Sequence, residues 1–264
     1  MSFFILFCIE ASTNSEKEFF IIAFYHTFIA KDNRILLFRM IRKLTYNNRI
    51  LSEQERAEFC RVSDEYIKMF SESIDGIYRL AKEDSSSNNS DYKKITDTVI
   101  NISIFTGYSF CDCIVLMKLF VRATNPYEKS MLRGKLKVQL NEGFKKLYGF
   151  TQKGYKDSYC AQLENIMPMF PGFRNKFNEL SSDLALISKD SWWKDERNAE
   201  VHINAGRLYE LRHEEINESK VAMETMQLID LFNRFNHLVN NMHRALLNHM
   251  IARYVKENGI YPIL

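Results

Sequence analysis

A long stripe of apolar side chains near the C-terminus constrains the fold more than any other feature of this sequence. Apolar residues recur at three- and four-residue steps between Leu228 and Met250, within a segment that covers residues 216–256. An α-helix brings residues with this spacing onto one face. Asn258 and Gly259 then suit the end of a helix. A helix of this length must bury its apolar face against other helices, so the sequence predicts a large helical assembly.

The composition supports the same fold class. The chain has 264 residues, of which only nine are glycine and four are proline, and 46% are hydrophobic. Few helix-breaking residues favour long helices over a turn-rich β fold, and the hydrophobic fraction is sufficient for a core. We find no period-two alternation and no internal repeat. The sequence therefore predicts an all-α fold, a bundle of long helices with short connections.

The same periodicity, together with capping patterns, predicts the remaining helices. Ser52 followed by Glu55 is a capping box, which opens one helix. Asn125 and Pro126 separate an almost wholly apolar helix from a helix with leucines at four-residue steps, because proline fits the first helical turn. The predicted helices cover residues 16–44, 52–82, 92–122, 126–147, 174–187 and 216–256.

One low-complexity stretch marks a predicted domain boundary. Residues 83–91 are rich in serine, asparagine and acidic side chains, a composition that is typical of an exposed loop. We therefore predict an extra N-terminal helical region of unknown role, residues 1–85, and a helical bundle domain, residues 86–264.

Cysteine usage and the apolar N-terminus bear on location and cofactors. The five cysteines are odd in number and lack the spacing of zinc ligands, so we interpret them as reduced, mostly buried thiols; they are Cys8, Cys60, Cys111, Cys113 and Cys160. Residues 3–9 lack the positive start of a signal peptide, and residues 19–30 are too few to span a bilayer. We expect a cytoplasmic protein with no metal, no cofactor and no stable membrane insertion. Amphipathic membrane contact by residues 1–45 is the alternative.

The greatest concentration of reactive side chains lies in residues 191–205. This stretch holds both tryptophans of the chain and the residues Arg197, Asn198 and His202. Arginine keeps its charge and offers a fork of donors to a phosphate. Histidine can accept or donate a proton near neutral pH. The combination suits chemistry on a phosphodiester.

Spacing alone does not select these residues. An arginine followed by a histidine at similar spacing occurs three times, as Arg197 to His202, Arg207 to His213 and Arg244 to His249. Only in the first match does a polar side chain, Asn198, follow the arginine directly, and only this match precedes the long final helix. The second match falls in a predicted charged connection and the third lies within the final helix. Context therefore favours the first.

Arg197 and His202 could also have a purely structural role, without any catalytic function. On an ideal helix Asn198 and His202 share a face, whereas Arg197 lies on another. His202 would then be a satisfied, partly buried histidine. Arg197 would form a surface ion pair with a nearby carboxylate, from Asp195, Glu196 or Glu200.

Several lysines flank the leucines of the helix predicted over residues 126–147. We interpret them as a solvated face, with a surface that steers phosphate as the alternative. These lysines are Lys135, Lys137, Lys145 and Lys146. The formal net charge of +3 permits a nucleic-acid partner without requiring one.

The segment from Arg197 and Asn198 to His202 resembles the signature of the HEPN superfamily (higher eukaryotes and prokaryotes nucleotide-binding). That signature is an arginine, a polar residue directly after it and then a histidine, late in an all-α domain and followed by a long helix. The resemblance covers roughly residues 91–256. It implies a helical bundle and, as in many members, metal-independent RNA cleavage by a dimer whose composite site joins both motifs.

The resemblance also implies roles for the three residues. His202 would act as general base or acid at the ribose 2′-OH, Arg197 would stabilise the charge that builds on the phosphorane, and Asn198 would orient the phosphate or His202. RNA or a nucleotide, a second copy of the chain, and a protein partner such as an antitoxin are the expected partners. Many such members serve in toxin–antitoxin, phage-defence or RNA-processing systems, and others bind nucleotides without cleaving them. The competing hypothesis is a non-catalytic helical module whose first 45 residues dock a protein partner.

Overall fold

The computed structural model describes residues 51–83, 90–189, 194–202 and 205–257, and within these ranges all regular structure is helical. The predicted all-α class is therefore confirmed. The helices in this described part are α1 (Glu53–Glu83), α2 (Ser90–Arg122), α3 (Pro126–Leu147), α4 (Gln152–Lys156), α5 (Tyr159–Ile166), α6 (Arg174–Lys189), α7 (Lys194–His202), α8 (Ala205–His213) and α9 (Glu218–Glu257). Two 3-10 turns, Met167–Met169 and Pro171–Phe173, connect α5 to α6.

The long helices match their predicted bounds to within a few residues. These are α1, α2, α3, α6 and α9, whereas the helix predicted over residues 16–44 lies outside the described residues. The charged connection predicted around Arg207 and His213 is wrong, because these residues form α8. Leu211 is the only fully buried residue of α8. The sequence of α8 therefore lacks the repeated apolar residues that would have predicted a helix there.

Side-chain caps explain where two of the long helices begin. The Ser52 amide donates to Glu55 Oε2 at 3.0 Å, and the Glu55 amide donates to Ser52 Oγ at 3.2 Å. This is the predicted capping box. At the start of α3, Asn125 Oδ1 accepts from the Tyr127 amide at 2.8 Å, and Pro126 takes the first helical position. These bonds satisfy amides that have no partner inside the helix.

Helix α2 lies in the middle of the bundle and contacts α1, α3, α5 and α9. It runs antiparallel to α1, since Lys118 near its end pairs with Asp64, and Gly107 lies against Ile74. A Cβ at Gly107 would approach the Ile74 side chain to 2.8 Å, so glycine permits the close contact of these helices. By length and mean hydropathy (1.7), α2 is the one described helix that could cross a membrane, and 61% of its apolar window is buried within the bundle.

Helices α3 and α9 run in the same direction. Lys129 pairs with Glu218, and further along both helices Gly143 packs against Phe232. Because α3 and α9 are parallel neighbours, the chain between the end of α3 and the start of α9 must run back along their length. Helices α7 and α8 make part of this return along α3: Arg197 lies at Glu142, and Leu211 of α8 lies near the start of α3.

One hydrophobic core joins six of the described helices, α1, α2, α3, α5, α6 and α9. Phe59 and Tyr66 of α1 belong to the same cluster as residues of α2, α3, α5, α6 and α9. The predicted boundary after residue 85 stays a prediction, and residues 84–89 lie outside the described ranges.

Four cysteines in the described part are free. Cys111, Cys113 and Cys160 are buried and Cys60 is half-buried, as predicted, while Cys8 lies outside the described residues. Burial raises the pKa of Cys111 and that of Cys160 to about 11. These two thiols are therefore protonated and unreactive at neutral pH.

Candidate functional site on α7

Helix α7 carries all three residues that the sequence selects. Arg197 and Asn198 lie in its first half, and His202 is its last residue. Asn198 and His202 are therefore one helical turn apart, the spacing that places residues on a common face. The tryptophans at 192 and 193 lie outside the described residues.

The Arg197 guanidinium binds a carboxylate of another helix. Its Nε and Nη2 both donate to Glu142 Oε1 of α3, at 3.0 and 2.5 Å. The third nitrogen, Nη1, donates to Asn198 Oδ1 at 3.2 Å. The Arg197 side chain is only 19% exposed, while Asn198 is exposed. Arg197 is therefore held in a fixed position against α3, and it orients the neighbouring amide at the surface.

Glu200 does not play the role that the sequence suggested for it. Its side chain is only 5% exposed, and it pairs with Arg212 of α8 at 2.6 Å. Arg212 also donates to the Ser130 carbonyl of α3 at 3.2 Å. The predicted alternative of a surface pair between Arg197 and Glu200 is therefore wrong, because Glu200 is turned into the contact between α3 and α8.

Close packing on α3 makes this arrangement possible. A Cβ added at Gly134 would overlap the Glu200 carboxylate. Absence of a side chain at this position lets α7 lie directly against α3. Gly134 and Glu142 are spaced by about two turns of α3 and therefore lie on the same side of it, which is the side that α7 covers.

Helix α8 is fixed to the same region of α3 by its C-terminal end. Arg133 Nη2 and Ser130 Oγ both donate to the Leu211 carbonyl, at 2.7 and 2.9 Å. Carbonyls in the last turn of a helix have no partner within the helix. The two α3 side chains supply that partner, and α8 in turn supplies Arg212 to Glu200.

Among the described side chains around Arg197, cations outnumber carboxylates, while the side chains of Asp195 and Glu196 lie outside the described ones. Lys145 Nζ lies 3.8 Å from Glu142 Oε2, so one carboxylate faces two cations. The Lys145 side chain is 59% exposed. Glu200, the other acid that the structure describes near Arg197, is neutralised by Arg212. This balance suits an anionic ligand such as a phosphodiester.

Arg207 and His213, the second arginine–histidine pair found in the sequence, both contact residues close to them in the chain. Arg207 pairs with Glu210 at 2.8 Å and lies 3.9 Å from Glu214. His213 Nδ1 lies 2.8 Å from the Tyr209 carbonyl, and its ring is 4.1 Å from the Tyr209 ring. These contacts stay within α8 and the turn after it. His213 therefore offers a matched control for His202.

Two members of this arrangement were missed by the sequence interpretation. Glu142 lies 55 positions before Arg197, and Gly134 lies two turns before Glu142 on the same helix. The available signal was weak: a glycine and an acid two turns apart on a helix that also contains Glu128 and Gly143. In the part of the chain that the structure describes, no three His, Cys, Asp or Glu side chains converge as metal ligands. No protein-family model, curated protein or solved structure matches this chain.

Proposed function

We propose that this protein is a HEPN-like, metal-independent endoribonuclease that uses Arg197, Asn198 and His202. The observation that carries the proposal is the hydrogen-bonded pair of Arg197 and Asn198, which α7 holds one turn before His202. A positioned guanidinium, an exposed amide and a histidine one turn further along the helix are residues suited to cleavage of an RNA phosphodiester.

In the proposed reaction the ribose 2′-oxygen attacks the adjacent phosphorus and the 5′-oxygen of the next nucleotide leaves. His202 accepts the proton of the 2′-OH or donates a proton to the leaving oxygen. Arg197 stabilises the charge on the phosphorane, and Asn198 orients the phosphate or His202. The products are a 2′,3′-cyclic phosphate and a free 5′-OH.

Glu142 acts as a positioning residue in this proposal. It binds two nitrogens of the Arg197 guanidinium, and a side chain that is already ordered loses little further entropy when a phosphate binds. Lys145 compensates the carboxylate charge, so the site keeps its attraction for an anion.

The proposal includes a homodimer in the cytoplasm that acts on RNA as a defence or toxin-type ribonuclease, held in check by an antitoxin-like protein. Val201 of α7 is 43% exposed and Tyr209 of α8 is 66% exposed. These apolar side chains beside the motif are suited to contact a second copy, and a composite site would join the motifs of both protomers.

A non-catalytic nucleotide-binding or protein-interaction module is the second candidate. It is favoured by the ion pair between Arg197 and Glu142, because a guanidinium that is 19% exposed and bound to a carboxylate also fits a purely structural role. The two candidates differ in whether the wild type cleaves RNA and in whether that cleavage depends on Arg197.

The test is cleavage of a mixed panel of single-stranded RNAs, in EDTA, by wild type and by His202→Ala. We expect wild type to release fragments with 2′,3′-cyclic phosphate ends. His202→Ala should cleave about 10²–10⁴ times more slowly, the usual contribution of a general acid or base. His213→Ala is the matched control, and it should cleave like wild type.

Two results would reject the ribonuclease. One is a folded, dimeric wild type that cleaves no RNA, and the other is equal cleavage by wild type and His202→Ala. Arg197→Lys keeps the charge but loses the donor fork, so an enzyme should lose activity while its melting temperature changes little. A large fall in melting temperature, with unchanged nucleotide or protein binding, supports the module instead.

A further inference from the structure

The cations of α3 differ between its two ends. In the N-terminal part three of the four cations bind a carboxylate of a later segment, and the pairs are Lys129 with Glu218, Arg133 with Glu214 and Lys137 with Glu224. The fourth, Lys135, is exposed. The Lys137 side chain is only 4% exposed. The interpretation of Lys137 as part of a solvated face is therefore wrong, and these three cations are already neutralised.

The C-terminal end of α3 presents cations to solvent. Lys145 and Lys146 are both exposed. Lys145 has a long contact, 3.8 Å, with Glu142. The Lys146 ammonium lies 5.0 Å from the centroid of the Tyr159 ring, and no carboxylate in the described part of the chain is paired with it.

Helix α4 adds two more exposed lysines to this end. Gly149 has a φ of 81°, which reverses the chain directly after α3. A Cβ at Gly149 would lie 2.7 Å from the Gly154 carbonyl oxygen, and the Tyr148 and Tyr155 rings are 5.1 Å apart. Helix α4 therefore lies against the turn that directly follows α3. Its Lys153 and Lys156 are exposed, and no ion pair ties either of them to a described carboxylate.

These four lysines belong to one segment of the chain, residues 143–156, which lies between Glu142 and the exposed Asp157. Residues 143–156 contain four lysines and no acidic residue. Lys145 is one turn beyond Glu142, which is about 5 Å along the helix, and Glu142 binds Arg197. The segment therefore begins at the Arg197 contact and leads away from it. Half-buried tyrosines accompany the lysines: Tyr148 and Tyr155 lie between them in the chain, and Lys146 lies over the Tyr159 ring. The Tyr155 hydroxyl donates to the exposed Glu164 carboxylate at 2.7 Å.

We propose that Lys145, Lys146, Lys153 and Lys156 bind the phosphates of a single-stranded RNA and guide it to Arg197. This inference rests on the proposed function and adds the path of the substrate. Exposed lysines interleaved with aromatic rings are suited to a single strand, because its phosphates follow the charges and its unpaired bases can stack on rings.

The test measures binding of a fluorescent 2′-O-methyl oligonucleotide, which cannot form a cyclic phosphate and so reports affinity without cleavage. The variant replaces all four lysines, as K145Q/K146Q/K153Q/K156Q. We expect its Kd to rise at least tenfold in low salt. The slope of log K against log salt should also fall by about 0.7 for each phosphate contact that is lost.

A control variant removes four lysine charges from surfaces outside the proposed RNA-binding segment. K68Q/K93Q/K94Q/K176Q replaces exposed lysines of α1, α2 and α6, and it should bind the oligonucleotide like wild type. On a cleavable RNA, the triple variant K146Q/K153Q/K156Q, which keeps Lys145 beside Glu142, should raise KM and leave kcat near wild type, because these three lysines do not touch the reacting bond.

The outcomes separate this inference from the proposed enzyme. If wild type binds the oligonucleotide through these lysines but cleaves no RNA, the inference is supported and the ribonuclease fails. Equal loss of affinity in the two quadruple variants would overturn the inference. Absence of salt-dependent binding by folded wild type would overturn it as well.

Discussion

Gly134 shows how much a single residue without a side chain contributes to the site. A Cβ at this position would overlap the Glu200 carboxylate, which also binds Arg212 at 2.6 Å. The glycine therefore leaves room for the contact that places α7, and with it Arg197, against α3.

We predict that Gly134→Ala destabilises the protein. Alanine favours a helix by about 1 kcal/mol relative to glycine, but insertion of a methyl group into a packed contact costs about 1–3 kcal/mol. The free energy of unfolding in urea measures the balance, with Gly172→Ala as a control because no atom lies within 4 Å of a Cβ there. A more stable Gly134→Ala would show that Glu200 moves aside at no cost.

The sequence identified the parts of the site that lie close together in the chain. Arg197, Asn198 and His202 fall within six positions of one another, so their pattern is visible without a fold. Glu142 was not predicted, because its role depends on a contact 55 positions away. Local patterns carry no information about which side of α3 another helix covers.

At the scale of helices, α3 is the element whose environment was misjudged. Its leucines at four-residue steps suggested one buried face and a solvated remainder, yet α2, α7, α8 and α9 all contact it. Lys137 consequently lies between helices, where it pairs with Glu224, and the two side chains are 4% and 6% exposed.

We predict that Lys137→Met alone lowers the free energy of unfolding by about 3 kcal/mol, the lower end of the usual cost of breaking a buried ion pair. The buried Glu224 carboxylate loses its close partner and keeps only the Lys220 ammonium, at 3.9 Å. The double variant Lys137→Met/Glu224→Leu should recover most of this loss, since apolar residues of similar volume often replace a buried ion pair without penalty. Urea unfolding of both single variants and the double variant completes the cycle. A double variant as unstable as the sum of the single variants would contradict the prediction.

Helix length decided which elements the sequence could reveal. The five long helices repeat an apolar face several times, whereas α4 has five residues and α5 has eight. Such short helices end before a 3.6-residue period becomes visible. Their start signals were nevertheless present: Thr151 Oγ accepts from the Gly154 amide at 3.0 Å, and Ser158 Oγ accepts from the Ala161 amide at 3.2 Å.

At the scale of the whole molecule, α1 shares its core with the helices that follow it. Phe59 of α1 has no exposed surface and belongs to the same cluster as residues of α2, α3, α5, α6 and α9. The serine-rich stretch at residues 83–91 suggested a boundary from composition alone, and composition does not report which apolar faces meet.

We predict that Phe59→Ala lowers the free energy of unfolding of the entire chain, by about 3–5 kcal/mol, the usual cost of truncating a buried phenylalanine. Thermal unfolding should be followed by far-ultraviolet circular dichroism and by tryptophan fluorescence, because both tryptophans lie in the predicted second domain. One transition that shifts equally in both signals is the expected result. A fluorescence transition that stays unchanged would establish residues 1–85 as an independent unit.

The return of the chain along α3 has a consequence for the order in which parts of the protein form and open. Of the described residues, Ala199 is the only fully buried apolar one in α7, and Leu211 is the only one in α8. Their polar contacts to α3 join residues 55 to 82 positions apart, whereas α2 and α3 are bridged by Gln139 and Asp112 at 27. Distant contacts with little apolar burial form late and open first. We therefore expect the helix that bears Arg197 to detach and reseat while α2, α3 and α9 stay folded.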